Sequence, residues 1–172
     1  MRLSAEKLIV ADAAGGMIVP ARDSAEVEEI FVVRDVLDGL AARLATYRIT
    51  TSQLQRLRVV NRRMSEALLA GRRDQALVAN DLFHDLLYRA ARNPILTQVG
   101  SDLRDAVRLF NTFSQAAPGR MGEVVTEHKA IVEALEGGDP EAAERASRRH
   151  LAAAREQFVR LQIQASDEEE PR

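Results

Sequence analysis

The residues of this chain best suited to chemistry are its three histidines, His84, His128 and His150. The sequence has no cysteine, which excludes thiolate zinc sites, iron–sulfur clusters, disulfides and a cysteine nucleophile. Any bound metal must therefore be held by imidazole, carboxylate or amide groups. The sequence contains neither His-Glu-x-x-His nor the paired Glu-x-x-His pattern of di-iron bundles. The histidines can therefore form a site only if the fold brings them together.

Composition limits the classes of protein to which the chain can belong. Its 172 residues are 46% hydrophobic and 29% charged, which fits one domain with a substantial core. The formal net charge of −2 gives no bulk positive charge for non-specific nucleic-acid binding. No apolar run approaches the roughly 20 residues of a membrane span, and Met1-Arg2-Leu3-Ser4 does not resemble a signal peptide. We expect a cytoplasmic protein with no membrane partner.

The elements that must position the histidines are helices. Two short β-type runs around Gly15-Gly16 predict a small hairpin that ends by Pro20. Beyond residue 21, apolar residues recur at helical spacing, and caps, glycines and prolines punctuate the pattern. The predicted helices span residues 23 or 24 to 47, about 52–71, 74–92, 95–114, 121–136 and 140–164, with a loop at 115–119 and a frayed acidic tail at 167–172. The expected fold is all-α, an antiparallel bundle of six or seven helices with a short N-terminal β-hairpin.

The spacing of the histidines predicts that they meet. Residue 139, within the turn Gly137-Gly138-Asp139-Pro140, is the midpoint between His128 and His150, so these two lie at one height on an antiparallel helix pair. His84 lies about 13 Å before the end of the third helix. If the fourth helix returns about 30 Å, His128 on the fifth helix lies within one helical turn of the height of His84. Asn80, four residues before His84, shares its helix face.

Three imidazoles and an amide oxygen form a ligand set that suits Zn, Ni, Mn, Co or Fe(II), with open positions for water or a carboxylate. The alternative is that the three side chains point in different directions and share a height by chance.

Several stretches occur in an order and spacing that resemble a known family. They are Val33-Arg34-Asp35-Val36-Leu37-Asp38, Asn80-Asp81-Leu82-Phe83-His84, Ala91-Arg92-Asn93-Pro94, the run from Glu127 to Pro140, and Arg149-His150-Leu151. Residues 26 to 161 resemble the effector-binding and dimerisation domain, called FCD, of the FadR branch of GntR-type bacterial transcription regulators.

This resemblance implies one divalent metal ion per chain, Zn first among the options, held by the three histidines and by an acidic residue at the position of Asn80. Asn80 departs from that pattern, although an amide oxygen can still coordinate. The resemblance also implies a small carboxylate effector bound at the metal, which a guanidinium would clamp. Arg34 is the first candidate, and a structural salt bridge with Asp38 is its alternative role. Arg104 and Arg108 are weaker candidates.

The resemblance also implies a domain boundary near the N-terminus. Residues 1–21 resemble the end of a winged helix-turn-helix domain, namely the close of its last helix and its wing, and residues 22–172 the FCD-type domain. Most of the recognition helix is missing, and a lone hairpin cannot place a helix in the major groove. Either the true start lies upstream, or this is a truncated chain that senses without binding DNA itself. The resemblance implies a homodimer that contacts DNA only through a winged-helix domain mostly missing from this chain.

Three functions remain open at this stage. The first is a metal-dependent carboxylate sensor within a transcription regulator, in which the effector alters the dimer and hence DNA binding. The second is a metal-assisted hydrolase or lyase that uses the same histidines, although no motif supplies a general base. The third is an interaction module in which the histidines only pack.

Overall fold

A computed structural model describes residues 10–11, 17–18, 24–108 and 119–169 of the chain. Six helices account for nearly all of these residues. They are α1 (Ser24–Thr46), α2 (Thr51–Leu69), α3 (Arg73–Ala90), α4 (Pro94–Ala106), α5 (Arg120–Glu136) and α6 (Pro140–Glu169). The expected all-α bundle is confirmed.

Helix starts follow the caps that the sequence supplies. Thr50 accepts a hydrogen bond from the Gln53 N–H, and the Gln53 side chain accepts one from the Thr50 N–H, which makes a capping box at the start of α2. Asn93 caps α4 ahead of a proline at its first position. Asp139 caps α6 through a 2.8 Å hydrogen bond from the N–H of Ala142. These side chains satisfy backbone donors that the first turn of a helix leaves open.

Two helix ends differ from expectation. The fourth helix was expected to reach Ser114, but α4 ends at Ala106, where the N–H of Val107 turns back to the carbonyls of Arg104 and Asp105. No glycine or proline marks this end in the sequence. The loop expected at 115–119 lies outside the described residues except for Gly119. Helix α6 continues to Glu169, five residues beyond its expected end at 164 and into the tail expected to fray.

The helices pack side by side, and the buried side chains of the described residues form four clusters. α1 lies along α6, α5 pairs with α6, and α2 packs against α3 and α5. The largest core cluster draws its side chains from α1, α2, α3, α5 and α6, and includes Leu57, Phe83, Leu87 and Ile131. Burying these side chains holds the three histidine-bearing helices, α3, α5 and α6, in fixed register.

At the N-terminus, strand β1 (Val10–Ala11) pairs antiparallel with β2 (Met17–Ile18), in the register Val10 to Ile18 and Ala11 to Met17. This agrees with the expected hairpin. Its assignment to a winged-helix domain stays a prediction, and the rest of residues 1–23 lie outside the described residues. None of the described helices combines the length and apolar character that a membrane span requires.

Candidate metal centre

The three histidines meet in the interior of the bundle. His84 on α3, His128 on α5 and His150 on α6 are all buried, and each offers a ring nitrogen within 4.8 Å of those of the other two. The Nε2 atoms of His84 and His150 are 3.3 Å apart. Three imidazole nitrogens at this spacing can converge on one ion. The expectation that the fold brings the histidines together is confirmed.

His128 has the most unusual surroundings of the three. Its side chain is fully buried, and neither ring nitrogen has a hydrogen-bond partner. The imidazole stacks on Phe83 with the ring centroids 3.8 Å apart and the planes 6° from parallel. Burial, and after it the positive charges of His150 and Arg120, lowers the pKa of His128 well below its ordinary value. Burial is also the largest cause of the lowered pKa of His84. Both rings are therefore neutral, as a metal ligand must be.

His150 is oriented by a carboxylate that the sequence reasoning missed. Its Nδ1 lies 2.6 Å from Oε2 of Glu127, and Glu127 in turn receives two hydrogen bonds, of 2.6 and 2.9 Å, from the buried Arg120. Burial alone would raise the pKa of Glu127, but the hydrogen bonds from His150 and Arg120 lower it to about 2. With Nδ1 committed to this carboxylate, Nε2 of His150 is left for a ligand. The i, i+7 spacing of Arg120 and Glu127 on one helix face was the available sequence signal.

Asn80 lies one turn before His84 on α3 and lines the same cavity. Its side chain is 6% exposed, and its Oδ1 is buried without a hydrogen-bond partner. A buried, unpaired amide oxygen is rare because it loses its interaction with water and gains nothing in return. It lines the same cavity as His84 and His150, and it is the candidate for a fourth donor.

A cavity of about 650 Å³ opens beside the histidines and is lined by His84, His150 and Asn80. The arginines proposed as effector ligands, Arg34, Arg104 and Arg108, also line it. The cavity thus joins the candidate metal site to the guanidinium groups.

Arg34 is buried and makes a 2.9 Å ion pair with Asp38, so the alternative role proposed for it is present. Its Nε nevertheless has no partner. Asp38 also accepts a short hydrogen bond from the hydroxyl of Tyr88. Burial and the adjacent Asp38 raise the pKa of Tyr88, which keeps the phenol protonated as the donor.

Arg104 and Arg108 differ in their exposure. Arg104 is 13% exposed, pairs with Asp85 at 2.7 Å and lies over the Tyr88 ring, while its buried Nη1 lacks a partner. Arg108 is 69% exposed and lies 3.5 Å from Asp81. Arg104 is therefore better placed than Arg108 to offer a desolvated hydrogen bond to an anion.

These observations test whether the donor set fits a metal. The nitrogens of His128 and the oxygen of Asn80 are buried acceptors or donors without partners, and such groups cost free energy unless something binds them. A single divalent ion would bind one ring nitrogen of His128 together with the oxygen of Asn80. The residues present therefore fit the group that the resemblance implies.

Comparison with known proteins identifies the fold family. The model of the FCD domain family matches residues 29–153, well over half of the chain. The chain belongs to the FCD domain family. This confirms the resemblance to the FCD domain that the sequence stretches indicated.

Two curated relatives of this FCD domain carry the names of transcription regulators. A probable D-xylose utilization operon transcriptional repressor of Paenarthrobacter nicotinovorans is 32% identical over 126 residues, covering 73% of this chain and 54% of the relative. The HTH-type transcriptional regulator YdhC of Bacillus subtilis is 24% identical over 145 residues, covering 82% of this chain and 63% of the relative. The chain thus spans between half and two thirds of the length of these curated relatives.

Solved structures agree on the fold. E. coli McbR/YncC matches with a TM-score of 0.78 at 22% identity, over 96% of this chain and 77% of that one. The metal-free FCD domain of TM0439 matches with a TM-score of 0.68 at 18% identity, over 82% of this chain and 96% of that one.

Proposed function

We propose that this FCD domain senses a small organic acid through a bound divalent metal ion and acts as the ligand-binding part of a bacterial transcription regulator. The observation that carries the proposal is the convergence of three buried histidines at a cavity that also contains Arg34 and Arg104. The curated relatives, which are named as regulators of transcription, support the same class of function.

His84, His128 and His150 would hold the ion, with Asn80 as the fourth protein donor and zinc as the first choice of metal. When bound, the ion supplies a positive centre for a carboxylate oxygen. The chain's own residues do the rest: Glu127 fixes the orientation of His150, and the packed core excludes water from His128.

The arginines would select the anion. Arg34 Nε and Arg104 Nη1 are buried and unpaired, so each gains a hydrogen bond when an acceptor enters the cavity. Arg108, at the more exposed side, would contribute mainly to the attraction of the anion. A carboxylate with further oxygen atoms fits these donors better than a hydrocarbon acid.

Binding would affect the whole bundle because the site joins separate helices. The histidines lie on α3, α5 and α6, whereas Arg34 and Arg104 lie on α1 and α4. A ligand that contacts both groups would fix these helices relative to one another. We propose that this change is passed to a homodimer and then to winged-helix heads that contact DNA, and that the domain has no catalytic role.

The test is metal analysis of the purified chain, followed by titration calorimetry with a panel of hydroxy, keto and sugar acids. We expect about one equivalent of metal per chain and an acid that binds only to the metal-loaded form. His84→Ala and His128→Ala should lose both properties, whereas Gln55→Ala, on the exposed face of α2, should retain them. A metal-free chain whose histidine variants keep the native melting temperature and acid binding would refute the proposal.

A further inference from the structure

The described part of the chain gives the candidate metal centre no charged ligand. Imidazole must be neutral to bind a metal, and the amide of Asn80 carries no charge. Among the described residues, the cluster of converging donor atoms comprises the three histidines alone, with no aspartate or glutamate. The ligand set found in this chain therefore has a formal charge of zero.

Three carboxylates near the candidate metal centre are already paired with cations. Glu127 makes two hydrogen bonds to Arg120. Asp85 pairs with Arg104 at 2.7 Å, and the exposed Asp81 lies 3.5 Å from Arg108. None of these three offers a free negative charge to an ion at the histidines.

A dication in this position would be poorly compensated. Placing charge in a buried site is costly unless an opposite charge accompanies it. Arg34 and Arg104 add to the cost because both act on His84 as repelling positive charges. An anion that enters the cavity would supply the missing negative charge.

We infer that metal and carboxylate bind this chain cooperatively, and that the uncharged Asn80 sets the strength of the coupling. The inference rests on the metal site of the proposed function and adds a regulatory property to it. Because coupling between two ligands is reciprocal, the anion must tighten metal binding by the same factor by which the metal tightens anion binding. The domain would then respond to the two ligands together and only weakly to either one.

The experiment measures Zn²⁺ affinity by competition with a chelating indicator, in sodium acetate and in sodium perchlorate of equal ionic strength. Acetate is the carboxylate probe, perchlorate is a poorly coordinating anion, and complexation of zinc by acetate is corrected for. The wild type is compared with Asn80→Asp, which adds one negative charge with almost no change of shape. Gln55→Glu adds the same charge on the exposed face of α2 and is the matched control.

We expect acetate to raise the zinc affinity of the wild type by about 5- to 150-fold, the usual range for coupled sites. In Asn80→Asp, zinc should bind more tightly in perchlorate, and the acetate effect should fall toward unity. Gln55→Glu should behave as the wild type does.

Two results would overturn the inference and leave the metal site standing: a wild type that binds zinc equally in both salts, or an acetate effect of the same size in Asn80→Asp. The first of these results is measured on the wild type alone, so it tests the inference even if Asn80→Asp does not fold. Absence of zinc binding in both salts would overturn the inference and the proposed function together.

Discussion

His128 should destabilise the metal-free fold, and replacing it with leucine tests this directly. Its ring is fully buried and both nitrogens lack a partner, so the metal-free chain bears an uncompensated loss of hydration. Leucine has a similar volume, carries no polar atom and can still pack on Phe83. We therefore expect His128→Leu to be more stable than the wild type in the presence of a chelator.

The magnitude follows from the contacts. An unsatisfied buried donor or acceptor costs about 1–3 kcal/mol, and the neutral ring of His128 has one of each. The variant loses the stacking of His128 on Phe83, which contributes about 0.5–1.5 kcal/mol, and the change of shape costs up to about 1.5 kcal/mol. At the middle of each range, the two unsatisfied groups account for a gain of about 4 kcal/mol, and the lost stacking and changed shape for a loss of about 2 kcal/mol. The net expectation is therefore a gain of about 2 kcal/mol, with a rise in melting temperature of about 2–4 °C per kcal/mol.

Zinc should reverse the order of stability. A ligand present at 1,000 times its Kd stabilises the native state by about 4 kcal/mol, and the variant would lack this contribution. The assay is urea unfolding followed by far-UV circular dichroism, with chelator and with zinc. The matched control is His150→Leu, whose wild-type side chain has a partner in Glu127. It should lose about 1.5–3 kcal/mol in chelator, the value of a hydrogen bond to a charged group.

The reasoning fails if His128→Leu is less stable than the wild type in chelator. That result would mean that the nitrogens of His128 are satisfied in the metal-free chain, and that their burial is no sign of a missing ion. Equal stability of both leucine variants in chelator would also contradict it, since only His150 has a partner to lose.

Three further predictions concern the surroundings of the site. Glu127, with a pKa of about 2 in the fold and 4.5 ordinarily, stabilises the metal-free protein by about 3 kcal/mol above pH 4.5 and loses this contribution as the pH falls toward 2. Urea unfolding of Glu127→Gln should show a smaller loss of stability over that interval, and an unchanged pH dependence would contradict it. Gly100→Ala should lower the free energy of unfolding by about 1–3 kcal/mol because the new Cβ would clash with the Tyr88 ring. Gly122→Ala has nothing within 4 Å of its new Cβ and should raise the free energy of unfolding by up to about 1 kcal/mol. Urea midpoints that shift alike in the two variants would refute this contrast. Tyr88→Phe should lower the free energy of unfolding by about 1.5–3 kcal/mol by removing the hydrogen bond to Asp38, and an unchanged urea midpoint would show that this bond contributes nothing.

The bundle could be predicted from sequence because its helices begin at capping residues that the local sequence reveals. Thr50, Asn93 and Asp139 are caps whose action depends only on the next three residues. The end of α4 at Ala106 has no such local signal and was missed. The pairing of His128 with His150 was also accessible, since a short turn fixes the register of an antiparallel helix pair.

The placement of His84 was right, but the fourth helix assumed in the height calculation behind it was too long. That calculation needed a fourth helix returning about 30 Å, whereas the 13 residues of α4 span only about 20 Å. Packing of α3 against its neighbours places His84, and its adjacent Phe83 stacks directly on His128. Such contacts depend on tertiary structure.

Partners distant in sequence were the least predictable part of the site. Glu127 could equally have lain on a solvated face, since one charged residue beside a histidine gives no orientation. The Tyr88 hydroxyl and the Asp38 carboxylate that it contacts are 50 residues apart, and no periodicity relates them.

The distribution of the histidines over three helices also bears on how the domain fluctuates. His84 and His150 are 66 residues apart in sequence, so an ion that joins them would close a long loop and act as a reversible cross-link. Opening α3, α5 or α6 alone would then require release of the ion. Binding of the ion would therefore couple the fluctuations of these three helices more tightly, and amide hydrogen exchange in them should become uniformly slow.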